Sequence, residues 1–168
     1  GGITPDIPFE AELMKKIEIE LERKSVFFGF ALKYAAENEI VDPDIEITDE
    51  ILQEFKEYLK EQNFTYELRA EEELDKLKEL IDKTSLKDEL NTELDNLTKI
   101  LQKEKEIEFE QSLDYIKMSI KRDLISNKFG NKARYEYVVL KQDKEILEAV
   151  KILQDPELFS SYFSSDKQ

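Results

Sequence analysis

The chain has 168 residues, 39% charged and 40% hydrophobic, with 40 acidic against 25 basic side chains and a formal net charge of -15. Four glycines and four prolines are too few turn-formers for a sandwich or barrel, and so negative a surface repels phosphate backbones and anionic headgroups, which sets nucleic acid and membrane surfaces aside. Without cysteine or histidine there is no disulfide, thiolate or imidazole ligand and no Ser-His triad, so zinc is not expected and catalysis would fall to carboxylates, Lys, Tyr or a Ser-Lys pair; no metal or cofactor site is assigned.

Residues 1–8 hold two glycines and two prolines; Pro5 and Pro8 oppose helix at the residues before them, so this segment reads as extended. Phe9, Leu13, Ile17 and Leu21 then recur every four residues, the spacing of an amphipathic helix. Phe27, Phe30, Ala31 and Tyr34 form a second helical face, widened by Phe28 and Leu32, and this aromatic density predicts the core. The most apolar run, 26–32, is far too short to span a membrane.

Residues 37–47 read as a loop. The carboxylates Asp42, Asp44 and Glu46, followed by Asp49, invite a calcium reading, but Ile47 stands where an EF-hand needs glycine and Gln53 where it needs a bidentate Glu. A solvated acidic loop is expected instead. Thr48 caps the next helix, with Ile51, Leu52, Phe55, Tyr58 and Leu59 inward and Asn63 as its stop. A further helix from a Thr65 cap to about Lys83 turns Leu74, Leu77, Leu80 and Ile81 inward.

The stretch 85–130 has no proline and no internal glycine. Leu90, Leu94, Leu97 and Leu101 share one helical face, and Phe109, Leu113, Ile116, Ile120 and Leu124 resume it. Ser85 with Asp88 reads as its start and Gly130 as its left-handed end. Charged Lys105 interrupts the stripe, so the stretch is one long helix or two nearly collinear ones with a kink near residues 103–106. The short link 82–86 folds the preceding helix back along it as a hairpin, with Leu97 in the seam. That helix is too short to cover the distal residues Phe109, Leu113, Ile116 and Ile120. They need the 27–34 and 159–163 helices or another protein, and are the candidate protein-contact face.

Residues 135–140 are rich in aromatic and β-branched side chains, which suggests strand, but no second strand exists to pair with it, and helix is preferred for 132–140. Asp143 caps a helix carrying Ile146, Leu147, Val150 and Leu153. Asp155-Pro156 starts a last short one, anchored by Leu158, Phe159, Tyr162 and Phe163. The expected fold is all-α: a multi-helix bundle with a long helical hairpin arm and a short extended N-terminal remnant.

As an ordered set, these pieces resemble the end of a carboxyl-terminal processing peptidase, or tail-specific protease, of the longer, Bacteroidetes-like kind. The family's GI-x-PD segment late in the catalytic core is matched by Gly2, Ile3, Pro5 and Asp6. An aromatic helix like 26–31 follows, then segments like 54–59 and 64–67, charged helices ending in an aromatic-Gly pair like Phe129-Gly130, and a stretch like 143–149. Family members are Ser/Lys serine peptidases, often with a PDZ domain. The resemblance implies a remnant of the protease core at 1–8 and a C-terminal helical domain at 9–168, in the cell envelope or periplasm. No segment resembles the family's nucleophile or base motifs, so no catalytic residue is assigned and this chain alone is not expected to be an enzyme. Its implied partners are its own protease core, a second copy, or an adaptor or substrate protein. An independent helical interaction module is the alternative. A stand-alone enzyme lacks any Gly-rich phosphate loop or nucleophile elbow.

Overall fold

A computed structural model describes residues 7–8 and 13–164. It is all-helical: α1 Lys16–Arg23, α2 Val26–Glu37, α3 Asp49–Glu61, α4 Arg69–Ile81, α5 Lys87–Gln111, α6 Leu113–Arg134, a π-helical turn Tyr135–Val139, α7 Leu140–Gln142, α8 Lys144–Gln154 and α9 Pro156–Ser164. Among the described residues there is no strand. Gly2, Ile3, Pro5, Asp6 and Phe9 lie outside the described residues.

The core is built by α1, α2, α3 and α6. Phe27 stacks on Phe55 (centroids 5.5 Å apart, planes 8° apart), and Phe30 meets the same ring edge-on at 5.2 Å. Ile17, Leu21, Ile51 and Leu52 close around them, and Ile40 and Ile47 pin the loop 38–48. The first helix is shorter than the four-residue rhythm suggests: Leu13 lies ahead of α1 and is 95% exposed. Phe28 and Leu32 are also exposed, because α2 is buried on one side only.

Helix ends follow local chemistry. The Thr48 hydroxyl accepts the Ile51 N–H at 3.5 Å and opens α3. Asn63, with φ 48°, lets Phe64 N–H reach Leu59 C=O at 2.9 Å and Asn63 N–H reach Lys60 C=O at 3.0 Å, a left-handed cap that ends α3. The next helix starts at Arg69 and not after Thr65, because the Glu71 carboxylate reaches back to the Leu68 N–H at 2.8 Å. Likewise α5 begins at Lys87, and Ser85 makes no cap; Leu86 N–H donates to the Thr84 hydroxyl.

The long stretch divides at Ser112 (φ -97°, ψ 6°), and not at residues 103–106. Lys105 does not interrupt the helix because Glu71 pairs with it at 2.6 Å and its ammonium lies 5.1 Å from the Tyr66 ring centre. Gly130 (φ 82°, ψ 179°) takes a backbone conformation open essentially to glycine and kinks the chain, but helix resumes directly after it. The segment 135–140 is helical, as preferred, though wound as a π-turn with Val138 buried. The Asp143 and Asp155 carboxylates cap α8 and α9 through Ile146 N–H (3.0 Å) and Leu158 N–H (3.0 Å). On α8 the buried residue is Ile152, while Leu147, Val150 and Leu153 are exposed, as are Phe159 and Tyr162 on α9.

Candidate interaction surface

The residues expected to need either the 27–34 and 159–163 helices or another protein are covered within the chain. Ile116 and Ile120 are fully buried, and Phe109 and Leu113 pack partly buried against the same core. The cover is α2, which lies along α6; α9 packs on α8 instead. This corrects the assignment of Phe109, Leu113, Ile116 and Ile120 as a free contact face: the break at Ser112 delivers α6 into the bundle as a core helix.

The apolar surface that is left over lies on the arm. Helices α4 and α5 are antiparallel: the link 82–86 closes one end, and at the other Glu71 accepts from Gln102 (3.0 Å) and Lys105. Their seam buries Leu74 and Leu94 and partly buries Leu90, Leu101 and Ile81. A pair of helices has one seam, narrower than the apolar arc on either helix. Leu77, Leu80, Leu97, Ile100 and Ile107, three of which were expected inward, therefore stay exposed; Leu97 is 45% and Ile100 60% accessible. At about 100° per residue, Leu97, Ile100 and Ile107 occupy one arc beside the α5 seam. Leu77 and Leu80 occupy the arc on the same rotational side of Leu74. In antiparallel helices equal rotational sides face the same way, so these five residues form one strip along one side of the arm. The sequence does carry this signal: Ile100 and Ile107 fall outside the Leu90–Leu94–Leu101 stripe.

The arm is tied firmly to the core at its base. Tyr66 donates its hydroxyl to Glu108 at 2.7 Å, and Glu108 also accepts the Lys16 N–H at 3.0 Å, which caps α1. Burial and the adjoining Glu108 carboxylate raise the Tyr66 pKa well above that of a free phenol. Lys15 Nζ donates to the Gln111 carbonyl at 2.9 Å. Between arm and core opens a groove of about 570 Å³, floored by Leu59, Phe64, Tyr66 and Phe109. Lys56 and Lys60 stand a turn apart on its wall, opposed by Glu106 and Glu110, with Lys56 3.5 Å from Glu110. That balance selects for neither charge, and an apolar side chain is what the floor suits.

Two polar clusters set the core's geometry. Arg122 grips Glu22 with both terminal nitrogens (2.9 and 3.1 Å) and Asp123 through Nε at 2.8 Å, and Tyr115 adds its hydroxyl to Glu22 at 2.7 Å. Burial works against the Glu22 charge, but the Arg122 and Tyr115 hydrogen bonds outweigh it and lower its pKa; burial first and Glu22 second push Tyr115 up to about 12. Asp44, once a candidate calcium ligand, is held by Lys141 (2.8 Å) and Lys121 (2.9 Å), which lower its pKa to about 2. Among the described residues no group of acidic side chains is arranged to hold a metal ion, and no helix is long and apolar enough to cross a membrane.

The geometry is that of a helical bundle with a complete core and an apolar strip on a projecting hairpin. The sequence model of a family described as probable PDZ-protease, C-terminal helical domain, matches residues 17–153. No curated protein and no solved structure matches the chain. The matched span runs from α1 to the end of α8, in accord with the resemblance read from the ordered segments. The chain belongs to the family of probable PDZ-protease C-terminal helical domains.

Proposed function

We propose that this domain is the non-catalytic docking and assembly element of a tail-specific, serine-type protease of the cell envelope. The observation that carries the reading is the strip Leu77, Leu80, Leu97, Ile100 and Ile107, which the domain leaves exposed although its core is complete without it. Exposed apolar side chains gathered on one side of an element, here with Glu104 among them, suit a protein contact. The family match supplies the protease context, and the net charge of -15 favours protein over nucleic acid as the partner. Peptidase activity is expected from the protease body and not from this chain.

The test is made in the full-length protease with Leu77→Glu and Leu80→Glu combined. Leu77 is 44% and Leu80 63% accessible, and neither belongs to the buried core, so the fold should hold by circular dichroism. Assembly, or cleavage of an unstructured protein with an apolar tail, should fall. If the folded variant assembles and cleaves like the parent, the arm is not a docking element.

A further inference from the structure

We propose that the occupant of the arm's strip is the same strip of a second copy, so that two hairpins close face to face into an antiparallel four-helix bundle. This rests on the docking reading of the arm and names its partner. Three features of the arm support it. First, the strip and Leu86 beside it amount to on the order of 500 Å² of apolar surface, near the upper end of what a monomer exposes. With its polar margins it approaches the roughly 800 Å² per partner of a stable interface. Second, a two-helix hairpin with one apolar side lacks only a second such layer to become a bundle with a continuous core.

The third feature is charge placement. Lys103 lies six positions beyond Leu97 on α5, and Glu89 and Glu93 lie eight and four positions before it. A two-fold axis through Leu97, perpendicular to the arm, carries position 103 of one copy to the level of position 91 in the other, between Glu89 and Glu93. By helical spacing Lys103 borders the strip, Glu89 and Glu93 continue its arc on the N-terminal side of Leu97, and all three are exposed. Among the described residues none of them makes an ion pair or hydrogen bond, whereas Lys105 and Glu71 at the arm's base are paired. An isologous contact requires such self-complementarity about its axis.

The chain lacks cysteine, so a single introduced one reports its own neighbours without background. Leu97→Cys lies on the proposed axis and should cross-link to a covalent dimer under mild oxidation at least tenfold faster than Leu147→Cys, which is also exposed but sits on α8. Sedimentation of the unmodified chain from about 1 to 100 µM should show a monomer–dimer equilibrium, a range that spans the affinities expected of an interface this size. Lys103→Glu should weaken it about tenfold, and adding Glu89→Lys and Glu93→Lys should restore it. A monomer throughout that range, equal cross-linking at positions 97 and 147, or no response to the charge exchange overturns the pairing. In that event the docking reading survives with the protease body as occupant. The docking reading itself fails only if the full-length Leu77→Glu/Leu80→Glu variant assembles and cleaves normally.

Discussion

Arg122 clasps Glu22 across 100 positions of chain, with both terminal guanidinium nitrogens on the carboxylate, and so locks α6 onto the α1–α2 corner. The guanidinium carbon also lies 5.9 Å from the centre of the Phe27 ring, at the heart of the core. The planar fork is what the site uses, so a lysine of equal charge is a poor substitute. Arg122→Lys is expected to cost about 1–3 kcal/mol, the range for charged hydrogen bonds lost where the partner stays partly buried. Glu22→Gln on top of it should add little, since the pair is already broken. Urea unfolding of the two variants measures both, and an Arg122→Lys loss below about 0.5 kcal/mol, the size of an ordinary surface substitution, would show the clasp to be incidental.

The Asp44 clamp gives the fold an acid-side signature. Its pKa is lowered from 3.8 to about 2 by the hydrogen bonds of Lys141 and Lys121. The ionised form is therefore favoured by folding. The stabilisation is complete above the unfolded value, shrinks as pH falls from about 3.8 towards 2, and is gone below that. Asp44→Asn should lower the melting temperature at neutral pH and flatten its decline across that window. Because Lys141 is on α7, amide exchange in residues 135–142 should also quicken. Exchange unchanged there would mean that Val138 burial alone holds the segment.

The sequence made the helices legible and the arm's orientation only half so. Thr48, Asp143 and Asp155 announced their caps because a side chain meets a backbone N–H two or three residues away, a local interaction. The Phe27–Phe55 stack was legible as aromatic density on α2. Three readings were left open or went astray, and tertiary packing decided each. Lys105 looked like a break until Glu71, 34 positions earlier, neutralised it. Ile116 and Ile120 could have taken the 27–34 helix or another protein, and α2 covers them. Leu97 looked central to its stripe, but a two-helix seam is too narrow to take Leu90, Leu94, Leu97 and Leu101 together. Periodicity identifies an apolar face; only the number of neighbours decides how much of it is covered.

Gly29 on α2 faces Tyr58 on α3, and the two form a sharp test of core geometry. A Cβ at residue 29 would collide with the Tyr58 hydroxyl oxygen, while the ring carbon behind it would stand at 3.4 Å, an ordinary contact. The backbone at Gly29 is helical, so alanine fits it without strain and brings the intrinsic gain of about 0.8–1.0 kcal/mol over glycine inside a helix. With tyrosine in place the ring must shift, and it packs on Phe30 at 5.7 Å between centroids, so the shift disturbs the core. Among the described residues the Tyr58 hydroxyl has no hydrogen-bond partner, so Tyr58→Phe alone should be nearly neutral. The four proteins of the cycle should therefore disagree in sign. Gly29→Ala destabilises beside tyrosine and stabilises in the Tyr58→Phe background, with a coupling on the order of 1–2 kcal/mol. Thermal or urea unfolding of all four gives the coupling directly. An alanine effect of the same sign and size in both backgrounds would mean that α2 and α3 do not approach at this point, and that the aromatic core is arranged differently.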